Sequence, residues 1–126
     1  MLPKIERLKK NEDFSKVFRL KCSVATNNLI TYVAPRNIDS TLEYPKVGFV
    51  VAKKVTKKAT GRNKIKRRLR EAYRAIKNKD LEAVKEFGSI IFIARPSIID
   101  SNYNDIYKNI ELCLKKALKQ QKRKIC

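Results

Sequence analysis

The sequence of 126 residues contains no histidine. Its absence removes the commonest general base, the base of Ser-His and Cys-His nucleophile pairs, and the imidazole ligands of metal sites. The 12 acidic residues are scattered along the chain, without a close cluster of the kind that holds two catalytic metal ions. A nuclease that depends on histidine is therefore excluded, and we expect neither a catalytic residue nor a metal site in this chain.

Cysteines and long apolar runs are scarce as well. The cysteines Cys22, Cys113 and Cys126 are far apart and lack CxxC spacing, so they indicate neither a disulfide framework nor a zinc site. The opening MLPKIERLKK lacks the apolar run of a signal peptide, and no segment approaches transmembrane length. We therefore expect a soluble, cytoplasmic protein with reduced cysteines.

Positive charge is what the sequence has in excess. Lys and Arg total 31 against 12 Asp and Glu, which gives a net charge of +19 at pH 7. The hydrophobic fraction of 43% is ordinary for a folded protein, so we expect one domain over residues 1–126. Because so much like charge destabilises a small domain unless a polyanion screens it, nucleic acid is the expected partner, ahead of an anionic membrane.

The pattern of apolar residues predicts the order α-β-β-β-α-β-α. Asn11 is typical of a helix N-cap, and Phe14, Val17 and Phe18 then share one face of a short helix. The segment CSVATNNLITYVAP then has the composition of two strands, and Pro35 ends the second of them. Two further apolar runs, Lys46–Ala52 and Gly88–Ala94, are typical of buried strands.

Two longer helices complete this order. One begins near Arg62, and the other begins at about Asn102. The second places apolar residues on one stripe, namely Tyr103, Ile106, Ile110, Cys113 and Ala117. We expect a basic tail that frays from about residue 119. The predicted fold is of the α/β (α+β) class, with helices packed on one mixed four-stranded sheet.

The segment RNKIKRRLREAYR, residues 62–74, concentrates the charge on one side of the predicted helix. At about 100° per residue, one side carries Ile65, Leu69, Ala72, Tyr73 and Ile76. The opposite side carries what we call the basic stripe: Asn63, Lys66, Arg67, Arg70, Arg74 and Lys77. Glu71 is the one acidic residue within the segment. A solvated face usually alternates its charges, so the stripe favours a surface that contacts RNA or DNA.

The start of this helix supports the same interpretation. Lys57, Lys58, Arg62 and Lys64 lie near a helix N-terminus, where each cation opposes the helix dipole by roughly 0.3–1 kcal/mol. Helix stability does not explain these residues, whereas a phosphate backbone docked on the helix end does.

The block VGFVVAKKVTKKATGRNKIKRRLREAYR, residues 47–74, resembles the signature region of the bacterial ribonuclease P protein component. RLKKNEDFSKVF, LITYVAP and IIFIARP are similar to other segments of that family, so the resemblance covers nearly the whole chain. Lys64 stands where the family typically has Arg, and Ala52 where Ser is common. The resemblance implies a sandwich with a left-handed β-α-β crossover, against the usual preference.

The resemblance also implies a function and its residues. Ribonuclease P removes the 5′ leader of precursor tRNA; its RNA subunit carries out the hydrolysis with divalent metal ions such as Mg²⁺, which are held mainly by RNA. Residues expected to bind that RNA subunit are Lys53, Lys54, Arg62, Asn63, Lys64, Lys66, Arg67, Arg70 and Arg74. Residues expected to stack on the single-stranded leader are Phe14, Phe18 and Tyr32. The expected partners are ribonuclease P RNA and precursor tRNA, with no membrane, and a monomeric free protein.

Three alternatives stay open at this point. A ribosomal or other structural RNA-binding protein predicts the same charge and the same helix, but it needs no aromatic cleft for a leader. An enzyme acting alone is disfavoured by the absence of histidine. A helix on a membrane surface needs bulky apolar residues on an exposed face, whereas packing on a sheet accounts for the apolar side of this helix. From sequence alone, Phe14 and Phe18 also fit a simple role in the core.

Overall fold

The protein was analysed as a computed structural model, which describes residues 14, 23–35, 45–80, 84 and 87–123. Four strands lie in these ranges: β1 (Ser23–Ala25), β2 (Leu29–Pro35), β3 (Lys46–Val50) and β4 (Phe87–Ala94). Two long helices accompany them, α1 (Ala59–Lys79) and α2 (Tyr103–Arg123), and a short 3₁₀ helix spans Pro96–Asp100. Phe14 lies in helical backbone, while the rest of the first predicted helix is outside the described residues.

The strands form one mixed sheet in the order β1-β2-β4-β3. β1 pairs with β2 and β2 with β4 in antiparallel fashion, whereas β3 and β4 are parallel. Parallel neighbours require a crossover connection, and α1 lies within it. The predicted mixed four-stranded sheet is thereby confirmed, and the handedness of the crossover stays a prediction.

Alternation along the strands gives the sheet two different faces. Leu29 and Val33 of β2 and Ile90 and Phe92 of β4 are buried on the face that carries α1 and α2. Against them pack the apolar sides of the two helices, which comprise Ile65, Leu69, Ala72, Tyr73 and Ile76 of α1 and Ile106, Ile110, Cys113 and Ala117 of α2. The opposite face, which we call the open face, carries a separate cluster around the buried Ile91.

Most residues assigned to the core from sequence are confirmed there. Buried are Val47, Val51, Ile65, Leu69, Ile91, Ile106 and Ile110. Phe49 and Ile93 are half-buried, and Ile5 lies outside the described residues. Tyr103 was expected on the buried stripe of α2 but is 38% exposed. As the first residue of α2, it lies at the end of the stripe, and less of the core covers it.

Element boundaries differ from the prediction by a few residues. α1 begins at Ala59 rather than near Arg62, with Lys58 as its N-cap. β3 ends at Val50 instead of Ala52, because the chain turns there: the Val55 N–H donates to the Ala52 carbonyl at 3.0 Å. α2 continues past residue 119 to Arg123.

Candidate nucleic-acid interface

The connector between β3 and α1, residues 51–58, presents lysines because its valines face inward. Val51 and Val55 are 7% and 6% exposed and belong to the main core. The hydrogen bond between Val55 and Ala52 closes a turn, and Lys53 and Lys54 at its centre are both exposed. The two predicted RNA-binding lysines are thus held at a fixed turn where β3 ends.

Arg62 has a structural task that the sequence did not reveal. Its Nη1 donates to the carbonyl oxygens of Thr56 at 3.1 Å and Lys57 at 2.8 Å. Both carbonyl oxygens accept from this one nitrogen, so Arg62 holds the basic connector against the first turn of α1. Gly61 gives a close fit at the same place, because a Cβ there would lie 3.0 Å from Thr56 Oγ1 and 3.1 Å from Thr56 Cγ2 and the Thr56 side chain would have to shift.

The basic stripe lies on the side of α1 that faces away from the core. Asn63, Arg67 and Arg74 are exposed, and Lys66, Arg70 and Lys77 are half-buried. Lys64, predicted as part of the motif, is exposed but points away from the centre of the stripe by its helical position. No acidic residue occurs in the first turn of α1. The helix therefore displays a nearly uniform positive surface.

Arg70 connects this stripe to the edge of the sheet. Its Cζ lies 6.0 Å from the centroid of the Phe49 ring. Phe49 in turn stacks on Phe92 at 5.7 Å between centroids and meets Tyr73 edge-on at 6.4 Å. This cation–π contact restricts the Arg70 side chain. Arg70 is only half-buried and β3 is an edge strand, so the guanidinium stays accessible to a phosphate.

The open face brings two of the three predicted aromatic residues together. Phe14 and Tyr32 are half-buried and both pack against the cluster centred on Ile91. Tyr32 and Gly48 are the register partners of Ile91 on its two sides. The Tyr32 ring and Gly48, which has no side chain, therefore lie on either side of Ile91 across the sheet. The open face is raised at Tyr32 and shallow at Gly48. Phe18, the third predicted residue, lies outside the described residues.

Arg95 is a cation at this interface that sequence reasoning missed. It follows β4 directly, and β4 is parallel to β3, so Arg95 lies at the same end of the sheet as the turn lysines. Its Nη1 donates to the Thr26 carbonyl at 3.1 Å and its backbone N–H to the Asn28 carbonyl at 2.9 Å. No local signal in the sequence marks this position, because the pairing of β4 with β3 is non-local.

The described residues offer RNA-binding chemistry rather than metal or nucleophile chemistry. Within residues 14, 23–35, 45–80, 84 and 87–123, no three His, Cys, Asp or Glu side chains lie close enough to share a metal ion. Burial raises the pKa of the Cys113 thiol, although the hydroxyls of Thr31 and Thr26 and the charge of Lys116 oppose the shift. A buried thiol of raised pKa is a poor nucleophile. In the same part of the chain, no helix has the length and apolarity to cross a membrane.

Comparisons with known proteins agree with this geometry. The sequence model of the Ribonuclease P family matches residues 2–118. The chain is similar to the ribonuclease P protein component of Alkaliphilus oremlandii, with 40% identity over 112 residues that cover 89% of this chain and 90% of that protein. The protein component of Clostridioides difficile shares 40% identity over 110 residues, covering 87% and 90%.

Solved structures give the same result. A Staphylococcus aureus RNase P protein mutant with defective mRNA degradation activity superposes with a TM-score of 0.76 at 32% identity, covering 90% of this chain and 89% of that one. The RNase P protein of Thermotoga maritima superposes with a TM-score of 0.71 at 26% identity, covering 88% and 96%.

Proposed function

The chain belongs to the ribonuclease P protein family, and from that premise we propose that it is the RNA-binding protein subunit of a ribonuclease P that forms the 5′ ends of tRNA. In this role it binds the ribonuclease P RNA and the leader of precursor tRNA, and the RNA subunit hydrolyses the phosphodiester bond. The protein contributes binding and electrostatic screening.

The observation that carries the proposal is the continuous cationic surface from the turn after β3 along α1. Lys53 and Lys54 are exposed on a closed turn, and the basic stripe follows on one helix. Arg67 and Arg74 offer planar guanidinium groups suited to phosphate oxygens, and Asn63 offers an amide that orients RNA groups. These contacts position an RNA backbone and are sequence-independent.

The leader of the precursor is assigned to the open face. Phe14 and Tyr32 lie together there, on the side of the sheet away from α1 and α2. Stacking of bases on aromatic rings tolerates any sequence, as a subunit that handles many precursor tRNAs requires. A ribosomal or purely structural RNA-binding protein also accounts for the basic stripe, but it gives no reason for a second, aromatic surface.

The divalent metal ions of the reaction are assigned to the RNA. Among the residues that the structure describes, no three acidic or cysteine side chains lie close enough to share an ion. When bound to RNA phosphates, Mg²⁺ supplies an activated water and charge neutralisation. The lysines and arginines of this chain reduce repulsion between RNA segments, which lowers the amount of Mg²⁺ that folding and substrate binding need.

Binding to ribonuclease P RNA tests the proposal. The RNA subunit of Clostridioides difficile, whose protein component is 40% identical, is a suitable partner. We expect saturable binding at physiological ionic strength, and competition by excess tRNA should be weak. Equal affinity for any RNA of the same length would contradict a dedicated subunit and favour a general RNA-binding protein.

A further inference from the structure

The outward face of α2 forms a second cationic surface that the proposed function does not use. Lys108, Lys115, Lys116 and Lys119 are exposed along it, and we call these four residues the lysine face. Between residues 106 and 120, Glu111 is the one acidic residue against these four lysines, a net charge of +3.

The lysine face is separate from the basic stripe. α1 packs near the β3 edge of the sheet, where Arg70 covers Phe49. α2 packs near the β1 edge, where Lys116 Nζ lies 3.5 Å from the Ala25 carbonyl and Cys113 Sγ lies 3.9 Å from Thr26 Oγ1. β1 and β3 are the two outer strands of the four-stranded sheet. The two helices meet at the end of α1, where Lys79 and Asp80 line one hollow with Glu111 and Lys115. Elsewhere the basic stripe and the lysine face lie toward different edges of the sheet.

The helix dipole does not account for the lysine face. The dipole of a helix favours cations in its last turn only, and these four lysines precede the last turn of α2. Asp105 has a local role, since its carboxylate and the Asn102 side chain cap the start of α2 reciprocally. Glu111 Oε1 and Lys115 Nζ are 4.0 Å apart, which is long for an ion pair, and the lysine is solvated. The pair therefore neutralises the face weakly.

The apolar residues among the lysines of this face favour a nucleic-acid partner over an anionic membrane. Leu112 is 46% exposed and, with Leu118, gives an apolar floor to a hollow of about 450 Å³ lined also by Lys115, Lys116 and Lys119. A nucleic-acid backbone presents ribose surfaces beside its phosphates and matches such a floor and rim. An anionic membrane requires a wide apolar stripe, which lysines on both sides of Leu112 interrupt.

We propose that the lysine face of α2 binds a second helical segment of the ribonuclease P RNA, distinct from the segment on α1, so that the protein bridges two parts of its RNA. This proposal rests on the proposed function. Lysine is a flexible point charge that contacts phosphates without the planar geometry of arginine, so the face recognises a backbone and no sequence. Spaced over 11 residues, Lys108 and Lys119 are about 16 Å apart along the helix, enough to follow several phosphates.

The first test compares charge variants in the salt dependence of binding to the full ribonuclease P RNA. Each lost phosphate contact lowers the slope of log affinity against log salt by roughly 0.7–0.9. We expect K108Q/K115Q/K119Q to lower the slope by about two to three units and the affinity about tenfold at physiological salt. E111Q is the matched control of opposite sign, because it removes the carboxylate beside Lys115, and it should bind at least as tightly as the unmodified protein.

An unchanged slope in the triple variant overturns the proposal. If R67A/R70A also leaves the slope unchanged, the proposed function fails with it. If R67A/R70A lowers the slope and the lysine variant does not, only the bridging proposal fails. Circular dichroism shows whether each variant keeps its fold. None of the substituted side chains is fully buried: Arg70 and Glu111 are half-buried, and Arg67, Lys108, Lys115 and Lys119 are exposed.

The second test locates the RNA. A photocrosslinker on Lys119→Cys, in a chain whose Cys22 and Cys126 are replaced by Ser and whose Cys113 is buried, should mark one RNA segment. The same probe on Arg74→Cys should mark another. Crosslinks of both probes to one segment, or of the α2 probe to precursor tRNA alone, overturn the proposal. So does binding of the lysine face to phosphatidylglycerol vesicles that Leu112→Gln abolishes while RNA binding is unchanged.

Discussion

At the scale of single residues, Arg67 and Arg70 differ in how tightly the structure holds them. Arg67 is exposed, whereas Arg70 is half-buried with its guanidinium over Phe49. Both lie on the basic stripe, so replacing both with alanine should weaken binding of the RNA subunit and lower the salt slope by about 1.4–1.8 units. Arg68→Ala is the matched control, because Arg68 lies on the same helix outside the stripe. Equal losses per removed charge in the two variants would show that net charge, and no particular surface, determines binding.

Tyr32 carries the corresponding prediction for the open face. Its ring packs in the Ile91 cluster beside Phe14, so Tyr32→Ala removes one stacking surface, which contributes about 1–3 kcal/mol per base. The affinity for precursor tRNA should fall while the affinity for mature tRNA, which lacks a leader, stays the same. The ratio of the two dissociation constants is the measurement. Phe18→Ala should behave in the same way; a loss that is equal for both RNAs indicates a damaged core instead.

Cys113 gives a prediction for stability against pH. Burial raises the pKa of its thiol above the ordinary value of 9.0, so the unfolded chain loses this proton at lower pH than the folded chain. The contribution of Cys113 is fully present below pH 9 and is lost as the pH rises toward the folded pKa. Between about pH 8 and about pH 9.5, the free energy of unfolding in urea should fall less for Cys113→Ala than for the unmodified protein. Parallel curves would contradict the assigned shift.

At the scale of elements, the structure differs from the sequence-based prediction in the connector of residues 51–58 and in the first turn of α1. The pattern predicted a basic connector and a helix beginning near Arg62, but it assigned Arg62 to RNA. The structure begins α1 at Ala59 and places Arg62 Nη1 on two connector carbonyls. Periodicity detects the apolar side of a helix, whereas a side-chain contact with backbone carbonyls leaves no periodic signal.

Arg62→Lys separates these two roles. Lysine keeps the charge, but its side chain ends one bond short of the position of Nη1, so it should lose at least one of the contacts with the Thr56 and Lys57 carbonyls. The free energy of unfolding should therefore fall by about 1 kcal/mol. Hydrogen exchange of connector amides should also accelerate. Arg74→Lys is the control, since Arg74 is exposed near the middle of the stripe. If Arg62→Lys weakens RNA binding without any loss of stability, the guanidinium acts on RNA directly and the structural role is wrong.

The strands and helices themselves were largely predictable. Leu29–Pro35 was bounded by composition and by Pro35, and Ile65, Leu69 and Ile76 fixed the buried side of α1 through their spacing. The pairing of strands was less accessible, because no local pattern places β4 between β2 and β3. The same non-local pairing brings Arg95 to the end of β3, which explains why the sequence did not mark it.

At the scale of the whole molecule, the sheet separates the surfaces that the function needs. Its open face carries Phe14 and Tyr32, and the opposite face carries α1 and α2 with their outward cations. In the proposed function, a protein of net charge +19 contacts a leader on one side and RNA backbone on the other. Composition predicted a polyanionic partner, but only the fold distributes the charge over distinct surfaces.

Cleavage of a precursor tRNA by ribonuclease P RNA at low, near-physiological magnesium tests the central claim most directly. The RNA of Clostridioides difficile should be assayed alone, with this protein and with the protein component of that organism as the positive control. We predict that this protein strongly stimulates cleavage at the correct 5′ end and cleaves nothing by itself. Tight binding without stimulation, while the positive control stimulates, would contradict the assignment as a ribonuclease P subunit.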